Sequence, residues 1–275
     1  MLKLVLNSFI LLTLLTLGTY SDVMFEMEYK QKNTDKVDKT NAYIKDNLLK
    51  MDFLEGGDSP NASVIFRSDK EEMITLDHKE KSYFIMDKET MDKFSHEMNS
   101  AMAQMEEIMK DMTPEEKEMM NNMMKGRMPS IMEHSIYIEP VLKKAGSDKI
   151  NGYSCIKYDV YKSKEKTRQY CVTDWSNIYG SEEIKSTMTK MSDFMEEFRK
   201  SFSSSTDMFD ASLEFERNIF LQMRKLNGFP VQTIDYEDGT VSAVSTFISS
   251  KGTSVDMNTF EPPDNYKKQN IDMKK

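Results

Sequence analysis

From residue 23 the chain alternates between apolar and polar positions. Val23, Phe25, Met27 and Tyr29 are apolar, while Glu26, Glu28 and Lys30 fall between them, the period of two of a half-buried strand. Similar runs predict further strands near 38–45, 47–54, 62–68, 71–77 and 80–86. The segment Glu55-Gly56-Gly57-Asp58-Ser59-Pro60 reads as a turn. Leu49, Met51 and Phe53 alternate with Leu48 and Leu54, so parts of this sheet are apolar on both faces. Such a sheet is expected to be covered on one side and to line a core or cavity on the other.

The period then changes from two to about 3.6. Met98, Met102, Met105, Met109 and Met112 form one stripe on a helix expected over 88–112, with Asp87 as its cap. Thr113-Pro114-Glu115-Glu116 carries a capping box, Thr113 as N-cap and Glu116 three residues on. Met119, Met120, Met123 and Met124 follow before Gly126 ends that helix. The two helices are expected to form a methionine-rich hairpin at 88–126, laid over the sheet as a lid, because an exposed stripe of this size would be a large apolar patch.

Strands are expected again near 133–143, 152–162 and 167–174. A helix begins at Ser181, where Ile184, Met188, Met191, Met195, Phe198 and Phe202 keep helical spacing. Ser203-Ser204-Ser205 reads as a linker and Asp207 to Met223 as a further helix. A hairpin over 229–237 and 241–249 turns at Glu237-Asp238-Gly239. This order predicts a single α+β domain over 22–262, an incomplete and strongly curved antiparallel β-barrel partly closed by helices, with a flexible tail at 263–275.

The first 21 residues stand apart. Lys3 precedes an apolar run from Leu4 to Leu17, Gly18 breaks it, and Thr19-Tyr20-Ser21 puts small residues three before and one before a cut at Ser21/Asp22. These are the parts of a secretory signal peptide, and they predict a periplasmic or secreted protein. No later stretch approaches membrane-spanning length, so an integral membrane protein is not expected. The formal charge is −9 with lysines and acids interspersed. A nucleic-acid partner would need a concentrated basic footprint, and none is present. Asn61-Ala62-Ser63 matches a glycosylation acceptor, relevant in a eukaryotic secretory pathway.

Export makes a bond between the two cysteines, Cys155 and Cys171, the default expectation. On a hairpin turning at Ser163-Lys164-Glu165, facing residues have numbers summing to about 326, which sets Cys155 opposite Cys171. Ile156, Tyr158 and Val160 share one face of their strand, as Tyr170 and Val172 do of theirs. Both sulfurs are therefore expected on the other, more polar face, with Lys157, Asp159, Gln169 and Thr173.

Catalytic chemistry is harder to find. There is no Gly-x-Ser-x-Gly, no His-Glu-x-x-His and no phosphate-cradling loop, so no catalytic residue is assigned, no enzyme is expected and no cofactor is implied. His78, His96 and His134 are far apart and lack ligand spacing for zinc. Asp69, Asp77 and His78 lie near strand ends, where turn residues at a solvated edge are the plainer reading than metal ligands.

The 25 methionines carry three readings. They fill a core in place of leucine, they form a pliable apolar surface facing a ligand, or they bind a soft metal such as copper(I) through Met105, Met109 and Met112 with His96 or His134. The absence of a Met-x-Met pair or a Cys-Met cluster speaks against the third, and no metal site is assigned.

Several segments resemble a bacterial family of exported proteins of unknown function. Tyr43-Ile44-Lys45-Asp46-Asn47-Leu48-Leu49-Lys50-Met51-Asp52 is similar to its early strand pair, and Ile65-Phe66-Arg67-Ser68-Asp69 through Ile74 to Tyr83 to its next block. Ile150-Asn151-Gly152-Tyr153-Ser154-Cys155-Ile156-Lys157-Tyr158 and Gly228-Phe229-Pro230-Val231 resemble its "Ile-x-Gly-Tyr-x-Cys-x-x-Tyr" and "Gly-x-Pro-Val" motifs. The resemblance implies a fold like the periplasmic lipoprotein carriers and binding of a lipid or apolar peptide. With the two-faced strands it supports an exported, non-enzymatic binding protein. Met98, Met102, Met105, Met109, Met112, Met119 and Met123 are then its ligand-facing candidates. A cell-envelope structural or interaction protein with a filled core is the alternative, ahead of copper handling or hydrolysis. The pattern sets no oligomeric state.

Overall fold

The computed structural model describes residues 22–32, 34, 36–110, 112, 113, 116, 119, 140–202 and 226–269, without the side chains of ten helical positions (98, 101, 102, 105, 106, 109, 198, 199, 201 and 202). Six strands come first: β1 (Val23–Gln31), β2 (Val37–Lys45), β3 (Leu48–Leu54), β4 (Ala62–Arg67), β5 (Glu72–Asp77) and β6 (Ser82–Met86). Helix α1 (Lys88–Lys110) follows, then β7 (Val141–Ile150), β8 (Tyr153–Lys162) and β9 (Glu165–Thr173). Helix α2 (Ser181–Phe202) precedes β10 (Phe229–Glu237), β11 (Thr240–Gly252) and the two-residue β12 (Lys267–Lys268).

Local chemistry explains the corners. Asp46-Asn47, Asn151-Gly152 and Asp238-Gly239 all hold positive φ, the conformation that two-residue hairpin turns require and that Asn, Asp and Gly tolerate. They join β2 to β3, β7 to β8 and β10 to β11. Asp87 caps α1 by accepting the Thr90 N–H at 2.8 Å. The Thr113 capping box is present in both directions. Thr113 N–H donates to Glu116 Oε2 at 2.8 Å, and Glu116 N–H donates to Thr113 Oγ1 at 3.3 Å.

All twelve strands belong to one sheet in the order β12-β6-β5-β4-β3-β2-β1-β11-β10-β9-β8-β7. Neighbours are antiparallel except β12 and β6, which are parallel. This corrects the expected α+β barrel. The described chain is a sheet-dominated fold with two α-helices, and the sheet does not close. Two meanders are joined through their middle by β1 and β11, which leaves β7 at one end and β12 at the other without a strand between them. Of the strand expected near 133–143, positions 133–139 lie outside the described residues and 141–143 open β7, which continues to Ile150; the linker and helix expected over 203–223 also lie outside the described residues.

Both faces of the first half of the sheet are covered. On one, the helix face, Met91 of α1 and Ile184, Met191 and Phe194 of α2 pack against Val23, Phe25, Ile44, Leu49 and Phe66. Phe66 and Phe194 meet at a tilt, 5.7 Å between ring centroids. On the other, Val255, Phe260 and Tyr266 from the C-terminal segment seal Leu48, Ile65, Ile74 and Leu76. The segment from 263, expected as a tail, thus contributes Tyr266 to a core and Lys267–Lys268 to the sheet.

Cys155 and Cys171 are bonded, S–S 2.08 Å and Cα–Cα 5.3 Å. The register differs from the expected one by two residues, because Lys157 faces Cys171 and Ile156 faces Val172. The bond therefore runs diagonally. Its sulfurs are also buried, not exposed on a polar face: Cys155 and Cys171 join the helix-face core beside Tyr153 and Trp175.

Candidate functional site

Strand pairing sorts the helix face into rows. Val23, Ile44, Leu49 and Phe66 stand side by side across β1 to β4, and none is more than 1% exposed. In the next row Phe25 and Ala42 are buried, but Met51 and Val64 are half-buried. In the third, Met27, Thr40, Phe53 and Ala62 are all half-buried. Apolar side chains thus continue beyond the sealed core, on the same face, with partial exposure.

Methionine concentrates at this transition. Met91 and Met191 are buried in the core, and Met27, Met51, Met73, Met86, Met188 and Met195 pack against it half-buried. Met73 and Met86 face each other across β5 and β6. Unbranched thioethers adapt to irregular space, so this surface can change shape at little cost. At its edge, a cleft of about 220 Å³ opens between β6, α1 and the end of the chain. Phe84 and Phe94 give it apolar walls, and Glu89, Lys93, Glu97 and Lys268 line it with mixed charge.

The methionines singled out from the helical stripe are placed differently. The side chains of Met98, Met102, Met105 and Met109 lie outside the described residues, as does all of Met123. Met112 is half-buried and Met119 is 70% exposed. Of the methionines that the described structure brings together, Met91, Met188, Met191 and Met195 are on helices and Met27, Met51, Met73 and Met86 on strands, where alternate spacing was the available signal. His96 is exposed on α1 and His134 lies outside the described residues. Among the described residues no group of three or more His, Cys, Asp or Glu is placed to hold a metal ion.

A second polar constellation lies on the opposite face. Ser63, 0% exposed, donates to Asp52 Oδ1 at 2.5 Å, and its Oγ lies 2.6 Å from His78 Nε2. His78 Nδ1 is 2.7 Å from the Tyr266 hydroxyl. Lys50 pairs with the same Asp52 oxygen at 3.3 Å. Burial, with a contribution from Lys50, holds the His78 imidazole below its ordinary range, while Asp52 and Asp77 pull the other way. Ser63 and His78 resemble part of a nucleophilic triad, but the acid binds the serine instead of orienting the imidazole. The hydroxyl is sealed from solvent. His78, expected as a solvated turn residue, is therefore part of an internal network. Asp77 does serve the turn, accepting the Glu80 N–H at 2.8 Å, and Asp69 is exposed.

No family model matches the chain, and no curated protein sequence does. Its fold is similar to that of an uncharacterized conserved protein from Thermus thermophilus, at TM-score 0.43 and 7% identity over 91% of each chain. It is also similar to the Pseudomonas aeruginosa MucA/MucB complex, at TM-score 0.36 and 7% identity over 91% of this chain and 58% of that one. MucB on its own gives TM-score 0.35 and 6% identity over 90% and 58%. At such TM-scores the likeness assigns neither a family nor a function. The disulfide is the kind of bond that chains folding outside a reducing cytoplasm keep. Among the described residues no helix is long and apolar enough to cross a membrane.

Proposed function

We propose that this chain is an exported, non-enzymatic binding protein whose methionine-lined half of the helix face takes an apolar ligand, a lipid chain or an apolar peptide. The observation that carries the reading is the step in burial along one face, from the sealed row of Val23, Ile44, Leu49 and Phe66 to half-buried Met51, Val64, Met27 and Phe53. A bound chain would extend an existing core outward, gaining about 25 cal/mol for each Å² of apolar surface it removes from water. The thioethers would let the same surface accept chains of different shape. The Lys3–Ser21 leader and the Cys155–Cys171 bond support a periplasmic or secreted setting.

The test is native mass spectrometry of protein purified from its own host, followed by titration of the delipidated protein with a fluorescent fatty acid. Co-purified lipid and saturable binding are expected. Met51→Glu, which puts a charge on the half-buried row and spares the sealed one, should weaken binding about tenfold or more, as burying an unpaired carboxylate demands. A bare mass with no probe binding removes the proposal. It would favour a cell-envelope scaffold, for which the fully buried first row is already suitable.

A further inference from the structure

Residues 253–269 run as a strap over the face opposite the helices, and separate anchors hold them there. Thr253 and Val255 donate their N–H groups to Asp22 at 3.2 and 2.9 Å. Glu261 pairs with Arg67 and with Lys70. Tyr266 reaches His78, and Lys267–Lys268 lie parallel to β6. Beneath the strap, Leu48, Ile65, Ile74 and Leu76 are all buried at 4% exposure or less. They are apolar side chains that would form a continuous patch if the strap lifted.

Of these anchors, the one at Tyr266 is built on an imidazole, the side chain whose charge changes near neutrality. The network determines which nitrogen carries the proton. The Ser63 hydroxyl is committed to Asp52, so its oxygen accepts from His78 Nε2–H, and Nδ1 is left bare to accept the Tyr266 O–H. The charged groups facing the ring are Lys50 and Asp52 from β3 and the adjoining Asp77. The remaining partners, Ser63 from β4 and Tyr266 from the strap, are neutral. Adding a proton at Nδ1 turns the acceptor into a donor. The Tyr266 hydroxyl must then reverse and give up its own donation, and a cation stands in a partly dry site beside Lys50.

We propose that His78 is a proton-operated latch for the C-terminal strap, and that protonation at Nδ1 frees the Tyr266 end and bares the apolar face beneath it. The sign follows from linkage. A folded-state imidazole held below its unfolded value of about 6.5 contributes stability that is fully present above that value. The contribution is lost as pH falls through the depressed folded value. The strap is thus tight at neutral pH and loosens in mild acid, from its Tyr266 end first, because hydrogen bonds from Arg67 and Lys70 hold the Glu261 anchor below the ordinary carboxylate range.

Hydrogen exchange on the full mature chain, corrected for intrinsic rates, tests this directly. Peptides covering 258–267 should lose protection by about threefold or more between about pH 7.5 and about pH 5, while β2 to β4 keep theirs. His78→Gln, which can hydrogen-bond but does not titrate, should abolish the pH step. Tyr266→Phe should give weak protection at both pH values. Equal wild-type protection at the two pH values overturns the latch, as does a pH step that survives in His78→Gln. Should His78→Gln fail to fold, Tyr266→Phe decides alone: a full pH step in that variant overturns the proposal, and its loss supports it.

Discussion

Lys45 donates to Asp22 Oδ2 at 2.8 Å, and the same oxygen accepts the Val255 N–H at 2.9 Å. Lys45 also donates to the Val255 carbonyl at 2.9 Å. One carboxylate, 7% exposed, therefore joins the start of β1, the end of β2 and the strap. Replacing Asp22 with alanine leaves the Val255 N–H buried without its acceptor, which costs about 1–3 kcal/mol. Urea denaturation of Asp22→Ala should show a lower midpoint with an unchanged slope. An unchanged midpoint would mean that the contact adds nothing to stability.

Acid should weaken the fold through Glu261. Burial by itself raises this carboxyl, but hydrogen bonds from Arg67 and Lys70 outweigh it and hold the group below the ordinary value of 4.5. Its contribution is complete above that value and is lost as pH falls through the lower folded one. Glu261→Gln should flatten the acid limb of a melting-temperature profile below about pH 4.5, leaving the neutral plateau lower. A variant with the same acid slope as the parent would dismiss this pairing as the cause.

Non-reducing peptide mapping of oxidised protein should give one linked product containing Cys155 and Cys171. Replacing both by alanine should lower stability by about 2–4 kcal/mol, read from chemical denaturation. Because both sulfurs are buried, reduction should be slow in the native state and accelerate with denaturant. Rapid reduction of the folded protein would contradict that burial.

Gly180 stands just before α2 at φ +69°, and a Cβ there would come within 2.2 Å of Val23 Cγ2. Gly180→Ala therefore combines left-handed strain with a clash against the sealed row, and should cost about 1–3 kcal/mol or more. Trp175, five positions earlier and packed on Phe229 at 5.5 Å, gives a fluorescence signal for the unfolding curve. A variant as stable as the parent would show that the α2 entry adjusts freely.

What the sequence displayed was mostly local. Asp87, the Thr113–Glu116 box and the Asp238–Gly239 turn act over two or three residues, and each is legible from residue type alone. β7 was missed because the expected strand at 133–143 drew on apolar content, whereas Asn151-Gly152 was the stronger hairpin signal for a strand ending at Ile150. Barrel closure could not be read at all, since it depends on whether two distant edges meet.

Lys162 faces Glu165 across a turn of Ser163-Lys164 alone, which moves the register by one residue from the expected one, and the irregularity between Val160 and Tyr161 moves it by one more. Lys157 and Asp159 made the cysteine face look solvated, although the cover extends over the Cys155 end. In the strap, Val255, Phe260 and Tyr266 bury their rings or branches without any helical or strand period, so a segment carrying Pro262-Pro263 looked like a tail. At the candidate site, the strand methionines shared the alternation already used to find the strands. Their convergence needed the pairing register.

The pairing of β1 with β11 has a consequence for the order in which the molecule can form. Val23 lies against Gly252 and Gln31 against Ala243, so the centre of the sheet is assembled from opposite ends of the chain. Contacts this distant in sequence make folding slow, because closing so long a loop costs entropy before any pairing returns it. A polypeptide emerging from its N-terminus can build the meander of β1 to β6, but β1 has only one neighbour until residues beyond 240 arrive. Until then the backbone groups on the β11 side of β1 have no strand partner, an edge on which another chain could pair.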